Sequence, residues 1–127
     1  MSKPGPFKPR RDGVDPVLRG RARRRALQAV YAWQISGGTP QQVIAQFAHE
    51  QAHEVADLAY FEDLVSGVLS GRAELDAALN AKLDRDIEEV DAVERAVLRL
   101  AAYELLHRLD VPYRVVLNEA IEIAKRF

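Results

Sequence analysis

Apolar residues recur along this chain at spacings of three and four, and Val, Ile and Thr never fall into the alternation that a half-buried strand requires. Helices are therefore the regular element the pattern predicts. Asp15-Pro16 supplies an N-cap followed by proline at the first helical position, so a first helix is expected from about Pro16 to Ser36, closed by Gly37-Gly38. Leu18, Ala22, Ala26, Ala29 and Trp33 form its inward stripe, and Leu27, Val30, Tyr31 and Ile35 make its second half apolar over most of the circumference. Thr39-Pro40-Gln41-Gln42 has the form of a capping box and opens a second helix with Val43, Ile44, Phe47 and Ala48 inward. Phe61, Leu64, Val65, Val68 and Leu69 mark a third, Gly71 a break or bend, and Leu75, Ala78, Leu79 and Leu83 a fourth.

Val90 to Arg108 reads as a central helix with two apolar faces, one through Val93, Val97 and Leu100, the other through Leu98, Ala102, Leu105 and Leu109. After the break at Asp110-Val111-Pro112, a sixth helix carries Val116, Ala120, Ile123, Ala124 and Phe127 inward. The fold class expected is all-α, a bundle of about six helices in one domain over residues 15–127. Residues 1–14, rich in proline, glycine and charge, lack the apolar surface to offset their ordering entropy and are expected to form a flexible basic arm.

Charge changes this picture. Overall the chain is at -1, yet residues 1–25 carry nine Lys or Arg against Asp12 and Asp15, a local +7 on a body of -8. A basic end on an acidic body suits a protein that holds a polyanion at one place and repels it elsewhere; a solvated tail gives the same composition. Arg19, Arg21, Arg23, Arg24 and Arg25 put five guanidiniums in seven positions, which repel one another unless an anion is present. Arg21, Arg24, Gln28 and Tyr31 fall within about an 80° arc of the first helix, away from its buried stripe. Guanidinium, amide and aromatic ring side by side are the contacts made to phosphate, base edge and base face of a single strand. Tyr31 also reads as a core residue.

Catalytic chemistry finds little support. There is no cysteine, no Gly-rich phosphate loop and no G-x-S-x-G. His49-Glu50-Gln51-Ala52-His53 matches the zinc-protease pattern, but both imidazoles lie off the inward stripe of the second helix and no third ligand stands out. Neither a catalytic site, a metal nor another cofactor is expected. Glu88, Glu89, Glu94 and Arg95 read as helix-surface charge, whereas Glu104 and Glu119 sit among apolar neighbours as candidates for buried structural acids. With no run of about 18 apolar residues and no signal-peptide core, the protein is expected to be cytoplasmic and to have no membrane partner.

RRRALQAVYAWQIS, YFEDLVSGV and VERAVLRLAAYELLHRLDVPYRVVLNEAIEIAKRF closely resemble the NusB family over about Leu18 to Phe127. The resemblance implies two small helical bundles packed together. It also implies a transcription antitermination factor that pairs with ribosomal protein NusE, binds the boxA element of nascent RNA and helps RNA polymerase read through terminators in ribosomal RNA operons. Carried over by position, Arg19, Arg21 and Arg23 match the family's basic RNA-contacting segment, with Gln28, Tyr31 and Glu94 as further expected members of that surface. Family members usually continue beyond the equivalent of Phe127 with a glycine turn and a further helix. Without it, the stripe through Ile123 and Phe127 is expected to stand partly uncovered as a self-association surface for a homodimer. Two competing readings remain: an RNA-binding module of ribosomal RNA processing, and a helical protein-interaction adaptor with a solubilising arm.

Overall fold

A computed structural model describes residues 15–50 and 57–127 of the chain; the expected arm at 1–14 lies outside the described residues, as does His53. Six α-helices follow one another: α1 (Pro16–Ser36), α2 (Pro40–Glu50), α3 (Leu58–Ser70), α4 (Arg72–Asn80), α5 (Ala92–His107) and α6 (Tyr113–Arg126), with a 3₁₀ turn at Ile87–Glu89 before α5. No strand occurs among the described residues.

The helix ends form where side chains can satisfy free backbone groups. The Asp15 carboxylate accepts from the Val17 and Leu18 amides at 2.9 and 3.4 Å. Gly37 closes α1 at φ 78°, donating its amide to the Trp33 carbonyl at 2.7 Å, and Gly38 follows at φ 111°, conformations that a side chain would strain. The capping box closes reciprocally: Thr39 Oγ1 accepts from the Gln42 amide at 3.1 Å, and Gln42 Oε1 from the Thr39 amide at 3.0 Å. Asp57 caps α3, and Asp91 caps α5.

α1, α2 and α3 pack on one another, α4 and α6 each pack on α5, and α5 lies against both α1 and α3. Ala22, Ala26 and Ala29 are fully buried and let α1 approach its neighbours closely, with Leu64, Val65, Val68 and Leu75 sealed in the same core. At Gly67 on α3, a Cβ would overlap the Tyr103 ring of α5. The Tyr103 hydroxyl donates to Asp63 Oδ1 at 2.8 Å; burial and that bond push the phenol up to about 12. Gly67→Ala is therefore expected to destabilise the protein by about 1–3 kcal/mol through overpacking, although alanine is the better helix former. Urea denaturation checks this; an unchanged midpoint would show that Tyr103 can swing aside while keeping its bond.

Several inward positions differ from expectation. Leu105 and Leu109 of the second face expected for the central helix are 40% and 83% exposed, while Arg99 and Glu104 are buried in α5. The reason is partnership, since each buried charge has an opposite charge to meet. Ala78 lies exposed on α4. On α6, Val116 and Ile123 are buried, but Ala124 and Phe127 face outward. The stripe expected to stand partly uncovered is thus closed at Val116 and Ile123 by the chain's own packing and open at Ala124 and Phe127. Glu88 and Glu89 belong to the 3₁₀ turn rather than a helix face, and Arg95 is largely buried, donating to the Glu88 and Val90 carbonyls at 3.0 and 3.2 Å.

Candidate nucleic-acid interface

α1 is the element on which the candidate residues sit, and its 3.6-residue period sorts the five arginines into different environments. Ala22, Ala26, Ala29 and Val30 commit one side of the helix to the core. Arg21 consequently points outward and is exposed, Arg24 and Arg25 are partly buried beside it, Gln28 continues the same side one turn later, and Tyr31 stands 40% exposed beyond that. Arg21, Arg24, Arg25, Gln28 and Tyr31 are therefore brought together on a single face.

Arg23 is not on that face. It lies 4% exposed beneath the surface, its Nε donating to both carboxylate oxygens of Glu104 at 3.0 Å and its second nitrogen to Oε2 at 2.8 Å. The expectation that Arg23 contacts RNA is corrected: one residue step turns the side chain by about 100°, which carries it from the solvent face into the contact with α5. The expectation that Glu104 is a buried structural acid is met. Its Oε2 also accepts from the Tyr60 hydroxyl. Burial, then that bond, holds the Tyr60 phenol above its ordinary value.

Arg19 also leaves the group. Its guanidinium lies 3.9 Å from the centroid of the Tyr60 ring and 3.7 Å from Asp57, with 14% of its side chain exposed. Arg108 approaches the same ring at 4.7 Å while pairing with Asp63 and Asp110, so Tyr60 is flanked by cations that are themselves neutralised. Arg19 is thus occupied in the packing of α1 against α3.

Across the solvent face of α1 stands the end of α6. Arg24 feels burial first and then the positive charge of Arg126, both of which draw its pKa below the ordinary guanidinium value; Glu119 opposes them, and Arg25 and Arg21 add to the repulsion. The guanidiniums of Arg21, Arg25 and Arg126 thus all act on Arg24 in one region. Beside them is a groove of about 200 Å³ lined by Leu27, Gln28, Tyr31, Val93 and Phe127. Glu94 is exposed on the first turn of α5, next in sequence to the groove residue Val93.

Val93, Phe127 and Arg126 are members of this region that periodicity along α1 could not show. Their only sequence signal was apolar or basic character near the ends of other helices. His49 is exposed near the end of α2, and no group of three or more His, Asp or Glu side chains suited to a metal occurs among the described residues. Among the same residues, no helix is long and apolar enough to cross a membrane.

Comparison with known proteins gives the same family as the sequence resemblance. The model of the NusB family matches residues 20–127. The transcription antitermination protein NusB of Xanthomonas oryzae pv. oryzae (strain PXO99A) is 81% identical over 129 aligned positions, covering all of this chain and 83% of the relative. That of Xanthomonas axonopodis pv. citri (strain 306) is also 81% identical, with 81% of its length covered, and that of Xanthomonas campestris pv. campestris (strain B100) is 79% identical over 81% of its length.

Proposed function

The chain belongs to the NusB family, and on that premise we propose that it acts in transcription antitermination by holding single-stranded RNA on the solvent face of α1. The observation that carries this reading is the convergence of Arg21, Arg24, Arg25 and Arg126 beside Gln28, Tyr31 and an apolar groove. Cations gathered on one face are stabilised by an approaching polyanion, which releases its own counterions as it binds. Unpaired bases bring faces that stack on an aromatic ring and edges that an amide can read, which a duplex keeps inside.

In this reading the RNA is a boxA-like strand of a nascent ribosomal RNA transcript, NusE is the protein partner that strengthens its binding, and the assembly works with RNA polymerase. Arg21, Arg24 and Arg25 neutralise phosphate, Gln28 and Tyr31 meet bases, and Glu94 lies at the margin of the face. Arg19 and Arg23 support the site from beneath through Tyr60, Asp57 and Glu104 rather than touching RNA.

Fluorescence anisotropy with a boxA-like strand and a scrambled strand, with and without NusE, across a salt series, tests the proposal. For Arg21→Ala/Arg24→Ala, loss of two phosphate contacts is expected to flatten the slope of log affinity against log salt by about 1.4, at about 0.7 per phosphate of a single strand. Wild-type binding should favour the boxA-like strand and tighten with NusE. A double variant with wild-type affinity and slope would remove the face from consideration. Binding indifferent to both sequence and NusE would leave a basic surface without the antitermination role.

A further inference from the structure

Where α4 packs on α5, a second recess of about 200 Å³ opens between the end of α1, the start of α4 and the 3₁₀ turn, with Trp33, Gln34, Arg72, Glu88, Arg95 and Arg99 among its walls. Three guanidiniums meet there. The Glu88 carboxylate lies among them, accepting from Arg72 at 3.0 Å and from Arg99 at 2.9 Å with Arg95 at 3.7 Å, yet its side chain stands 52% exposed on the turn. Asp76 holds Arg99 through both oxygens, so the three cations face two carboxylates and keep one positive charge in surplus. Arg95 Nε is in addition buried without a hydrogen-bond partner among the described residues, a condition that is rare unless a water or a ligand meets the donor.

We propose that this recess is a binding site for one small free oxyanion of the phosphate type, and that Glu88 is the tethered carboxylate it displaces. The inference is independent of the RNA-binding reading. Glu88 displays the chemistry the recess selects, since its carboxylate gathers the three guanidiniums around one anionic group. Being half exposed, it can swing into solvent without stranding a buried charge of its own. A free carboxylate is a poor replacement, because it offers only the oxygens and the charge that the tethered one already supplies at high effective concentration. Phosphate brings more than one negative charge and a third acceptor oxygen, which answers the surplus cation and the third guanidinium. A nucleic-acid strand does not suit the place. Residues 84–91 carry Asp84, Asp86, Glu88, Glu89 and Asp91, all exposed, against Arg85, a local -4 beside the recess that repels a row of phosphates far more than a single ion.

Trp33 is the chain's single tryptophan and lines the recess, so its emission reports occupancy directly. Inorganic phosphate is titrated into the wild-type chain, Glu88→Gln and Arg72→Ala, with sodium chloride holding the ionic strength constant. Both replaced side chains are half exposed, and circular dichroism checks that each variant keeps the helical content of the parent. The wild type should give a saturable change in emission. Glu88→Gln should bind about 2-fold to 5-fold more tightly, the fold-change that corresponds to one half-exposed ion pair no longer competing. Arg72→Ala should bind at least about 10-fold more weakly, as for loss of a charge-assisted hydrogen bond. No saturable response even in Glu88→Gln, where the competitor is gone, would overturn the site, as would a response that chloride alone reproduces or an affinity unchanged in Arg72→Ala. Saturation with a boxA-like strand should leave the phosphate affinity of the wild type unaltered; competition would assign the recess to the RNA face and overturn it as a separate site.

Discussion

Glu104→Ala is expected to lower the stability of the protein by about 3–5 kcal/mol, the range for removing one member of a buried ion pair. The reason is what it leaves behind. Arg23 and Glu104 have side chains only 5% and 4% exposed, and Glu104 accepts hydrogen bonds from both Arg23 and the Tyr60 hydroxyl. Glu119, at 3.9 Å from Arg23 and one-third exposed, is too distant and too wet to take over. Truncation therefore strands a guanidinium and a phenol in a site largely closed to bulk solvent. The double replacement Arg23→Met/Glu104→Leu removes both charges and should lose less than either single truncation. Urea denaturation of the four proteins measures this; a single-variant loss under about 1 kcal/mol would mean that solvent reaches the pair and that the site is not sealed. The phenol sets a pH limit as well. Because its folded pKa is raised above the unfolded value of 10.0, the contribution of Tyr60 is complete at neutral pH and is lost as pH climbs above that value toward the folded one.

Arg99→Ala is the second large effect expected, at about 2–3 kcal/mol, below the range for a fully sealed pair because its partners keep some solvent. Arg99 is 2% exposed and is the hub of a network joining three elements to α5. It donates to both carboxylate oxygens of Asp76 on α4 at 2.9 Å, to Gln34 Oε1 on α1 at 2.9 Å and to Glu88 in the 3₁₀ turn at 2.9 Å. Gln34 in turn donates to the Ala92 carbonyl at 2.9 Å, which ties the start of α5 to the end of α1. Asp76 is 15% exposed and Glu88 52%, so Asp76→Ala should cost more than Glu88→Ala, whose carboxylate is already half in water. Thermal unfolding provides the ranking: for a domain of this size, about 3–5 °C accompanies each kcal/mol. Equal midpoints for Asp76→Ala and Glu88→Ala would show that exposure does not grade this network.

The Arg23–Glu104 pair and the proposed RNA face share α1. Arg23 and Arg24 are adjacent in sequence, and the pairing of Arg23 with Glu104 holds α1 in the rotation that turns Arg24 toward Arg126 and the groove. A variant that frees α1 to rotate would therefore weaken RNA binding without removing any residue of the face. Glu104→Ala serves as a check, since its RNA affinity should fall with a salt slope closer to wild type than that of Arg21→Ala/Arg24→Ala.

The features legible along the chain are local ones. Asp15-Pro16, the Thr39 and Gln42 box and Gly37-Gly38 set the first helix boundaries because a cap acts over a span of two to four residues, all of them legible in order. The apolar spacing set the number of helices and the class of fold for the same reason. On α1 it also separated Ala22, Ala26 and Ala29 from the outward side on which Arg21, Gln28 and Tyr31 lie.

The apolar neighbours of Glu104 marked it as a buried acid, but its partner, and the burial of Arg23 and Arg99, came only from the packing of helices against one another. Arg23 and Glu104 are 81 residues apart, and Arg99 reaches Gln34 across 65, so nothing near any of them in sequence marks them as partners. Periodicity treats a charged residue as an outward one and accordingly assigned Leu105 and Leu109 inward places that Arg99 and Glu104 do not leave them. The groove was hidden in the same way, because Val93 and Phe127 meet Leu27 and Tyr31 only after α5 and α6 have packed on α1. A burial stripe follows from the geometry of one helix, whereas a buried ion pair or a pocket requires two helices to arrive at a common place with matching chemistry.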